Sequence, residues 1–66
     1  MSTDDTIIIE AYDRASRDLQ IEEATRLLSE KARDRGILIT RHSFRSFTAT
    51  LSSTVEYGLI QELDLL

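Results

Sequence analysis

The sequence contains no cysteine and a single histidine, His42, which removes two common means of stabilising a very small domain. Without thiols there are neither disulfide bridges nor thiolate metal sites, and one imidazole supplies no histidine cluster for zinc. A domain of 66 residues buries only about 60% of the surface that its unfolded chain exposes, so it usually needs additional support. Self-association remains as that support, and we therefore expect a homodimer.

Long apolar runs, glycine-rich loops and catalytic sets are also missing. No stretch approaches the roughly 20 apolar residues of a membrane-spanning helix. The N-terminal MSTDD lacks the basic and apolar regions of a signal peptide, so we expect a cytoplasmic protein. The two glycines, Gly36 and Gly58, are too far apart for a phosphate-cradling loop, and the adjacency of His42 and Ser43 does not make a catalytic triad. We therefore predict no enzyme activity, no cofactor and no metal site.

The charges are distributed unevenly along a chain whose net charge is −4. Most of the basic side chains lie in residues 26–45, and most of the acidic ones lie outside that segment. Residues 41–47 also combine cations with aromatic rings, a mixture that can bind single-stranded nucleic acid. Because the whole chain is acidic and repels phosphate at long range, the favoured interpretation is a solvated surface whose charges help segments or subunits to dock. The candidate partner or nucleic-acid surface consists of Arg26, Arg33, Arg35, Arg41, His42 and Arg45.

One segment, from Ile21 to Gly36, carries consistent helix signals. Its apolar residues recur at spacings of three and four, its acidic residues come first, and its basic residues cluster towards the end. Asp18 is the favoured N-cap, and Gly36 follows as a residue that can end a helix. We predict a helix over about residues 21–35.

The segment before it has a second apolar stripe at helical spacing, formed by Ile8, Tyr12, Ala15 and Leu19. This stripe predicts another helix over about residues 6–18. The competing interpretation is a short strand over residues 6–9, since three successive isoleucines favour a pleated sheet. The two stripes are out of phase, so we predict a break near Leu19 and Gln20. An uninterrupted helix would carry two differently oriented apolar faces, and a partner would have to cover one of them.

After the central helix the pattern changes to that of β-structure. Ile37–Ile39 is an apolar run too short to assign, whereas residues 45–51 alternate with period two and are rich in threonine. Alternation resumes beyond a turn, so we predict a β-hairpin of residues 45–51 and 54–62. Gly58 inside the second strand indicates a bulge or a close backbone approach. The final LIQELDLL could instead form a short helix.

These elements predict a single α+β domain over residues 6–66, preceded by a disordered tail over residues 1–5. The helix pair packs on the C-terminal hairpin, and a second copy completes the sheet because a lone hairpin has open edges. The predicted core is Ile8, Tyr12, Ala15, Leu19, Ile21, Ala24, Leu27, Leu28, Phe47, Leu51, Val55 and Tyr57.

From these features we expect a small non-enzymatic interaction module that binds or modulates a protein partner as a homodimer. The missing catalytic sets, the short chain and the open sheet edge favour this interpretation. The alternative is a small dimeric DNA-binding regulator or antitoxin-like protein that uses the basic segment 26–45.

Overall fold

In a computed structural model, which describes residues 6–65, the chain forms four strands and one helix. The elements are β1 (Thr6–Glu10), α1 (Arg14–Lys31), β2 (Gly36–Arg41), β3 (Ser46–Ser52) and β4 (Ile60–Asp64). The strands make one mixed sheet in the order β1-β3-β2-β4, with α1 packed on one face. β3 runs antiparallel to both β1 and β2, and β4 runs parallel to β2. The tail predicted for residues 1–5 lies outside the described residues.

The segment that was predicted as the first helix is an edge strand. Its three successive isoleucines favour the pleated conformation, because branched side chains pack well on a pleated surface. Ile9 turns into the core with 1% of its surface exposed, whereas Ile8 points to the opposite face and is 71% exposed. The helical spacing from Ile8 to Tyr12 therefore joins a strand to the turn after it, and the predicted helix pair is wrong.

A single uninterrupted helix crosses the break predicted near residues 19–20. It begins after Asp13, whose carboxylate accepts a hydrogen bond from the Ser16 backbone N–H at 2.7 Å. It ends at Lys31, and Gly36 starts β2 rather than ending the helix. Of the first stripe, only Ala15 and Leu19 lie on this helix, on a different face from Ala24 and Leu28, so the change of phase does not mark a turn at residues 19–20.

The two apolar faces of α1 have different surroundings. Ala24 and Leu28 lie on the first face and are buried against the sheet, with Ile21 partly buried beside them. Leu19 and Leu27 lie on the second face and are 67% and 39% exposed. One face therefore builds the core, and the other is left largely in water.

The hairpin of the sheet lies earlier in the chain than predicted. β3 overlaps the predicted strand over 45–51, but its hairpin partner is β2, reached through the turn at residues 42–45. Most of the predicted second strand, residues 54–59, is a connection without strand structure. β4 begins at Ile60 and pairs with β2 instead of β3. The chain is thus an α+β protein with a hairpin in its sheet, but not a helix pair on a C-terminal hairpin.

The connection from β3 to β4 crosses the start of β2 at Gly36. The Gly36 N–H donates a hydrogen bond of 2.6 Å to the Val55 carbonyl. A Cβ on Gly36 would lie 2.5 Å from Val55 Cγ1 and 2.6 Å from the Leu59 carbonyl oxygen, so only glycine fits beneath the crossing. The close backbone approach expected at Gly58 occurs here, whereas Gly58 itself takes a turn with φ of 89°.

The core lies between α1 and the sheet, and its buried members are Ile9, Ala24, Leu28, Ile37, Ile39, Phe47 and Ala49. Of the predicted core residues, the structure buries Ala24, Leu28, Phe47 and Val55, and partly buries Ile21 and Leu51. It exposes Ile8, Tyr12, Ala15, Leu19, Leu27 and Tyr57. Ile8 is exposed because it lies on the face of β1 that points away from α1. Tyr12 and Tyr57 lie in turns, and the other three lie on the part of α1 that the sheet does not cover.

Candidate functional site at the two open sheet edges

The outer strands β1 and β4 each have one side without a neighbouring strand among the described residues. Backbone N–H and C=O groups on such a side are ready to pair with another chain. The two faces of the sheet are weaker candidates for contact with another chain. α1 covers one face, and the centre of the other is formed by Thr40, Thr48 and Thr50, with Ile8 and Leu63 at its two margins. The edges are therefore the candidate sites of contact.

On β1 the outward backbone groups belong to alternate residues. The Ala11 N–H donates to the Arg45 carbonyl at 3.0 Å, and hydrogen-bonded pairs recur at every second residue of an antiparallel ladder. The odd-numbered residues of β1 therefore point their backbone groups towards β3. The outward-pointing residues are Thr6, Ile8 and Glu10. Consistent with this alternation, Gln20 Nε2 donates to the Glu10 carbonyl at 3.0 Å.

An apolar groove of about 380 Å³ runs between this edge and α1. Ile7, Ile9 and the backbone of Ile8 line it from the strand, and Leu19 and Leu27 line it from the helix. Glu23 also lines it, and its carboxylate is held by the Arg26 guanidinium at 2.5 Å. The hydrogen bond and charge of Glu23 raise the pKa of Arg26 above its usual value. The β1 edge is thus flanked by apolar side chains and a neutralised carboxylate.

On β4 the alternation is set by the parallel ladder with β2. The Ile37 N–H donates to the Leu59 carbonyl, and the Leu65 N–H donates to the Arg41 carbonyl, both at 3.0 Å. In a parallel ladder every second residue of one strand bonds the two residues that flank its partner, here Ile37, Ile39 and Arg41 of β2, so odd-numbered residues of β4 point towards β2. The backbone groups of Ile60 and Glu62 therefore point outward.

A larger groove, of about 580 Å³, lies beside β4 on the helix side of the sheet. Its apolar lining comes from Ile21, Ile39 and Phe47. Its charged lining comes from Arg17, Asp18, Glu22, Arg41, Glu62 and Asp64. This groove combines an apolar surface with six charges, unlike the one beside β1.

Within that charged lining, the basic groups are already paired. An Arg41 terminal nitrogen lies 3.0 Å from Asp64 Oδ2, and Arg17 Nε lies 3.3 Å from Asp18 Oδ1. Within residues 6–65, Glu22 and Glu62 form no ion pair. The groove is left with two uncompensated carboxylates, one on the helix and one on the edge strand.

The six basic residues predicted as a binding surface do not form one patch. Arg41, His42 and Arg45 lie at or beside the β2–β3 turn, whereas Arg33 and Arg35 precede β2 at its other end. Arg26 lies on α1.

Most of these basic groups have partners within the chain. Arg26, Arg35 and Arg41 pair with carboxylates. His42 Nε2 hydrogen bonds with Thr48 Oγ1 at 2.9 Å, and the Arg45 guanidinium lies 4.9 Å from the centroid of the Tyr12 ring. The cationic segment of the sequence is therefore divided between two ends of the sheet and largely engaged there.

Nothing in the sequence links Glu22 to Glu62, because that grouping depends on the long-range pairing of β4 with β2. The sequence did group Leu19 with Ile8, but as one helix face and not as a helix beside a strand. The segment Ile60–Asp64 does not alternate between apolar and polar residues, so it gave no signal for Glu62.

Among the described residues, no group of three or more His, Cys, Asp or Glu side chains is placed to hold a metal ion. Every buried side-chain polar atom in that part of the chain has a hydrogen-bond partner. None of its helices has the length and apolar character that crossing a membrane requires. No protein-family model, curated protein or solved structure matches the chain.

Proposed function

We propose that this protein is a non-enzymatic interaction module that forms a homodimer through its β1 edge and contacts a protein partner with the rest of its surface. The main support is the second apolar face of α1. Leu19 and Leu27 lie uncovered beside an edge strand whose Ile8 is 71% exposed and has outward backbone groups. Contiguous apolar surface beside an open strand edge is a common feature of protein interfaces.

The β1 edge is complementary to a second copy of itself. Two antiparallel β1 strands overlap completely when Ile8 faces Ile8 of the partner subunit and Thr6 faces Glu10 of the partner subunit. In this register the outward N–H and C=O groups of Ile8 meet those of Ile8 of the partner subunit, and the N–H of Thr6 of the partner subunit joins or replaces the Gln20 amide at the Glu10 carbonyl. The two subunits then share one twofold axis and one continuous sheet of eight strands, an interface type that closes after two copies.

The same axis places the two α1 helices antiparallel on one side of the joined sheet. The exposed stripe of Leu19, Glu23 and Leu27 then faces its counterpart, with each Leu19 towards Leu27 of the partner subunit. Burial of apolar surface stabilises association by about 25 cal/mol per Å² removed from water. Glu23 lies near the axis, where its ion pair with Arg26 limits repulsion between the two carboxylates.

The same geometry gives less support to the DNA-binding alternative. A DNA-binding surface needs basic side chains clustered on one face. Here the arginines are divided between two ends of β2, and Arg26, Arg35 and Arg41 pair with carboxylates of the same chain.

The test of the β1 interface is Ile8→Pro. Proline removes the outward N–H of Ile8 while leaving the β1–β3 ladder intact, since that N–H is not part of it. We expect wild type to sediment at about twice the 7.5 kDa monomer mass at micromolar concentration, and Ile8→Pro to sediment as a folded monomer. Ile60→Pro, the matched change on the β4 edge, should remain dimeric. A monomeric wild type, or an Ile8→Pro dimer, would contradict the proposal.

The absence of cysteine allows a second measurement, of register. Facing side chains on an antiparallel pair have Cβ atoms about 4.5–5.5 Å apart, so Ile8→Cys should form a disulfide with its own copy under mild oxidation. Ile60→Cys, on the opposite edge, should remain reduced under the same conditions. Equal cross-linking of the two variants would argue for non-specific collision instead.

A further inference from the structure

We infer that the β4 edge and the groove beside it bind an extended, basic segment of a partner protein, which adds to the sheet as a new edge strand. This inference rests on the proposed function in one respect, that the protein acts by contact. It does not require the homodimer, because β4 and β1 lie at opposite sides of the sheet.

The backbone of β4 offers the hydrogen bonds for such an addition. The outward N–H and C=O groups of Ile60 and Glu62 are spaced as one side of a ladder, and every residue of the strand is exposed. Addition of an extended peptide to a sheet edge is a common mode of recognition, in which main-chain bonds give affinity and alternate side chains give specificity.

The groove determines which side chains suit the added strand. The residue opposite Glu62 would project on the helix side of the sheet, where Cβ atoms of facing residues lie about 4.5–5.5 Å apart. It would meet the uncompensated carboxylates of Glu62 and Glu22 above the apolar lining of Ile21 and Phe47. A lysine or arginine fits this environment, because its aliphatic stem covers apolar surface while its charged end reaches the carboxylates.

The neighbouring positions of the added strand would project to the other face of the sheet. There the side chains of Leu63 and Leu65 are 45% and 58% exposed. Apolar residues of a partner would cover them. The structure therefore points to a partner segment in which basic and apolar residues alternate.

The probe is an end-labelled synthetic peptide of alternating lysine and valine, and binding is measured by fluorescence polarisation. We expect saturable binding by wild type that weakens as salt is added, because charges near the surface are screened. The same peptide with glutamate in place of lysine should not bind. If the two peptides bind equally well, the groove does not select charge and the inference fails.

Two groove variants, Glu22→Gln and Glu62→Gln, test the carboxylates. Each should weaken binding about two- to fivefold, the range measured for exposed ion pairs. Glu56→Gln is the matched control, because it removes the same charge from the connection outside the groove. Groove variants that bind as tightly as the Glu56 variant would overturn the inference.

Ile60→Pro tests the backbone contribution without altering charge. Loss of the outward N–H, with a ring now on the edge, should weaken peptide binding about tenfold, as expected for removal of a hydrogen bond at the interface. Retained tight binding by a folded Ile60→Pro variant would exclude strand addition. If circular dichroism shows that this variant does not fold, the two glutamine variants decide the matter.

A final arm separates the two proposals. Ile8→Pro, measured as a monomer, should bind the lysine peptide as well as wild type does. Binding by a monomeric wild type would contradict the β1 interface but support the β4 site. A stable wild-type dimer that does not bind the peptide would support the β1 interface and contradict the β4 site.

Discussion

The two edge strands of this sheet present the same kind of backbone pattern but very different surroundings. β1 lies beside α1 and shares an apolar groove with Leu19 and Leu27. β4 makes no contact with α1, is exposed along its whole length, and borders a groove with six charged residues. The backbone geometry allows both edges to pair with another strand, and the side chains around each edge determine which kind of chain can pair there. An apolar edge suits an identical copy, and an acidic edge suits a different, basic chain.

The edges also differ in how firmly they are attached. β1 is attached through β3 and through Ile9, a buried member of the core. β4 is attached through β2, through the crossing at Gly36 and through the half-exposed ion pair of Arg41 with Asp64. Elements with little buried apolar surface open at lower free energy than the core, so β4 should open first.

The largest effect should come from Leu28→Ala, which removes the support common to both edges. Leu28 is fully buried between α1 and the sheet. Truncation of such a side chain costs about 2–5 kcal/mol of unfolding free energy, enough to unfold a domain this small. Thermal unfolding followed by circular dichroism measures it, with Leu59→Ala, an exposed leucine of the β3–β4 connection, as the control. An unchanged melting temperature would show that Leu28 is not central to the core.

A smaller effect, confined to one edge, is expected from Gly36→Ala. The new Cβ would overlap Val55 and the Leu59 carbonyl, and overpacking of this kind costs about 1–3 kcal/mol. Hydrogen exchange should show faster exchange at the amides of Gln61 and Leu63, while those of Ile7 and Ile9 keep their protection. A uniform loss of amide protection along the whole sheet would mean that the two edges do not open independently.

Gly58→Ala is the control for that substitution. A Cβ at Gly58 meets no atom within 4 Å, but the φ of 89° is unfavourable for alanine. Its cost should be about 1 kcal/mol, from the left-handed backbone alone.

The smallest effect should come from Arg41→Gln. The Arg41–Asp64 pair is partly exposed, and pairs of this kind contribute about 0.2–1 kcal/mol. The change should slightly increase exchange at the end of β4 and lose its effect at high salt. Arg33→Gln removes the same charge from the α1–β2 connection, where it should leave β4 unaltered. A larger effect from Arg33→Gln would assign the contribution to net charge instead of the pair.

The sequence predicted the inward helix face but not the full architecture. Ala24 and Leu28 follow the spacing of one helix face and face the sheet, because that spacing is a local property of the helix. The isoleucines of β1 supported both a helix and a strand, and the choice between them depended on pairing with β3, some forty residues away in the chain. Local periodicity carries no information about such a partner.

Even less of the candidate site than of the fold could be predicted from the sequence. The parallel pairing of β4 with β2 follows a connection that crosses the sheet, and nothing in LIQELDLL indicates its partner. The basic segment was conspicuous in the sequence, yet folding separates its arginines and pairs several with carboxylates. The helix is uninterrupted at residues 19–20, as in the alternative set out from the sequence, but it begins at Arg14, so Ile8 and Tyr12 of the first stripe are not part of it.

The carboxylates on β4 have a consequence for polymerisation. A protein with two unlike open edges could stack head to tail, β1 of one molecule on β4 of the next, and grow into an endless filament. Glu62 and Asp64 would then stand beside the strand that ends in Glu10, where like charges oppose growth. We therefore expect the acidic residues on one edge to oppose fibril formation, and their replacement by leucine to promote it.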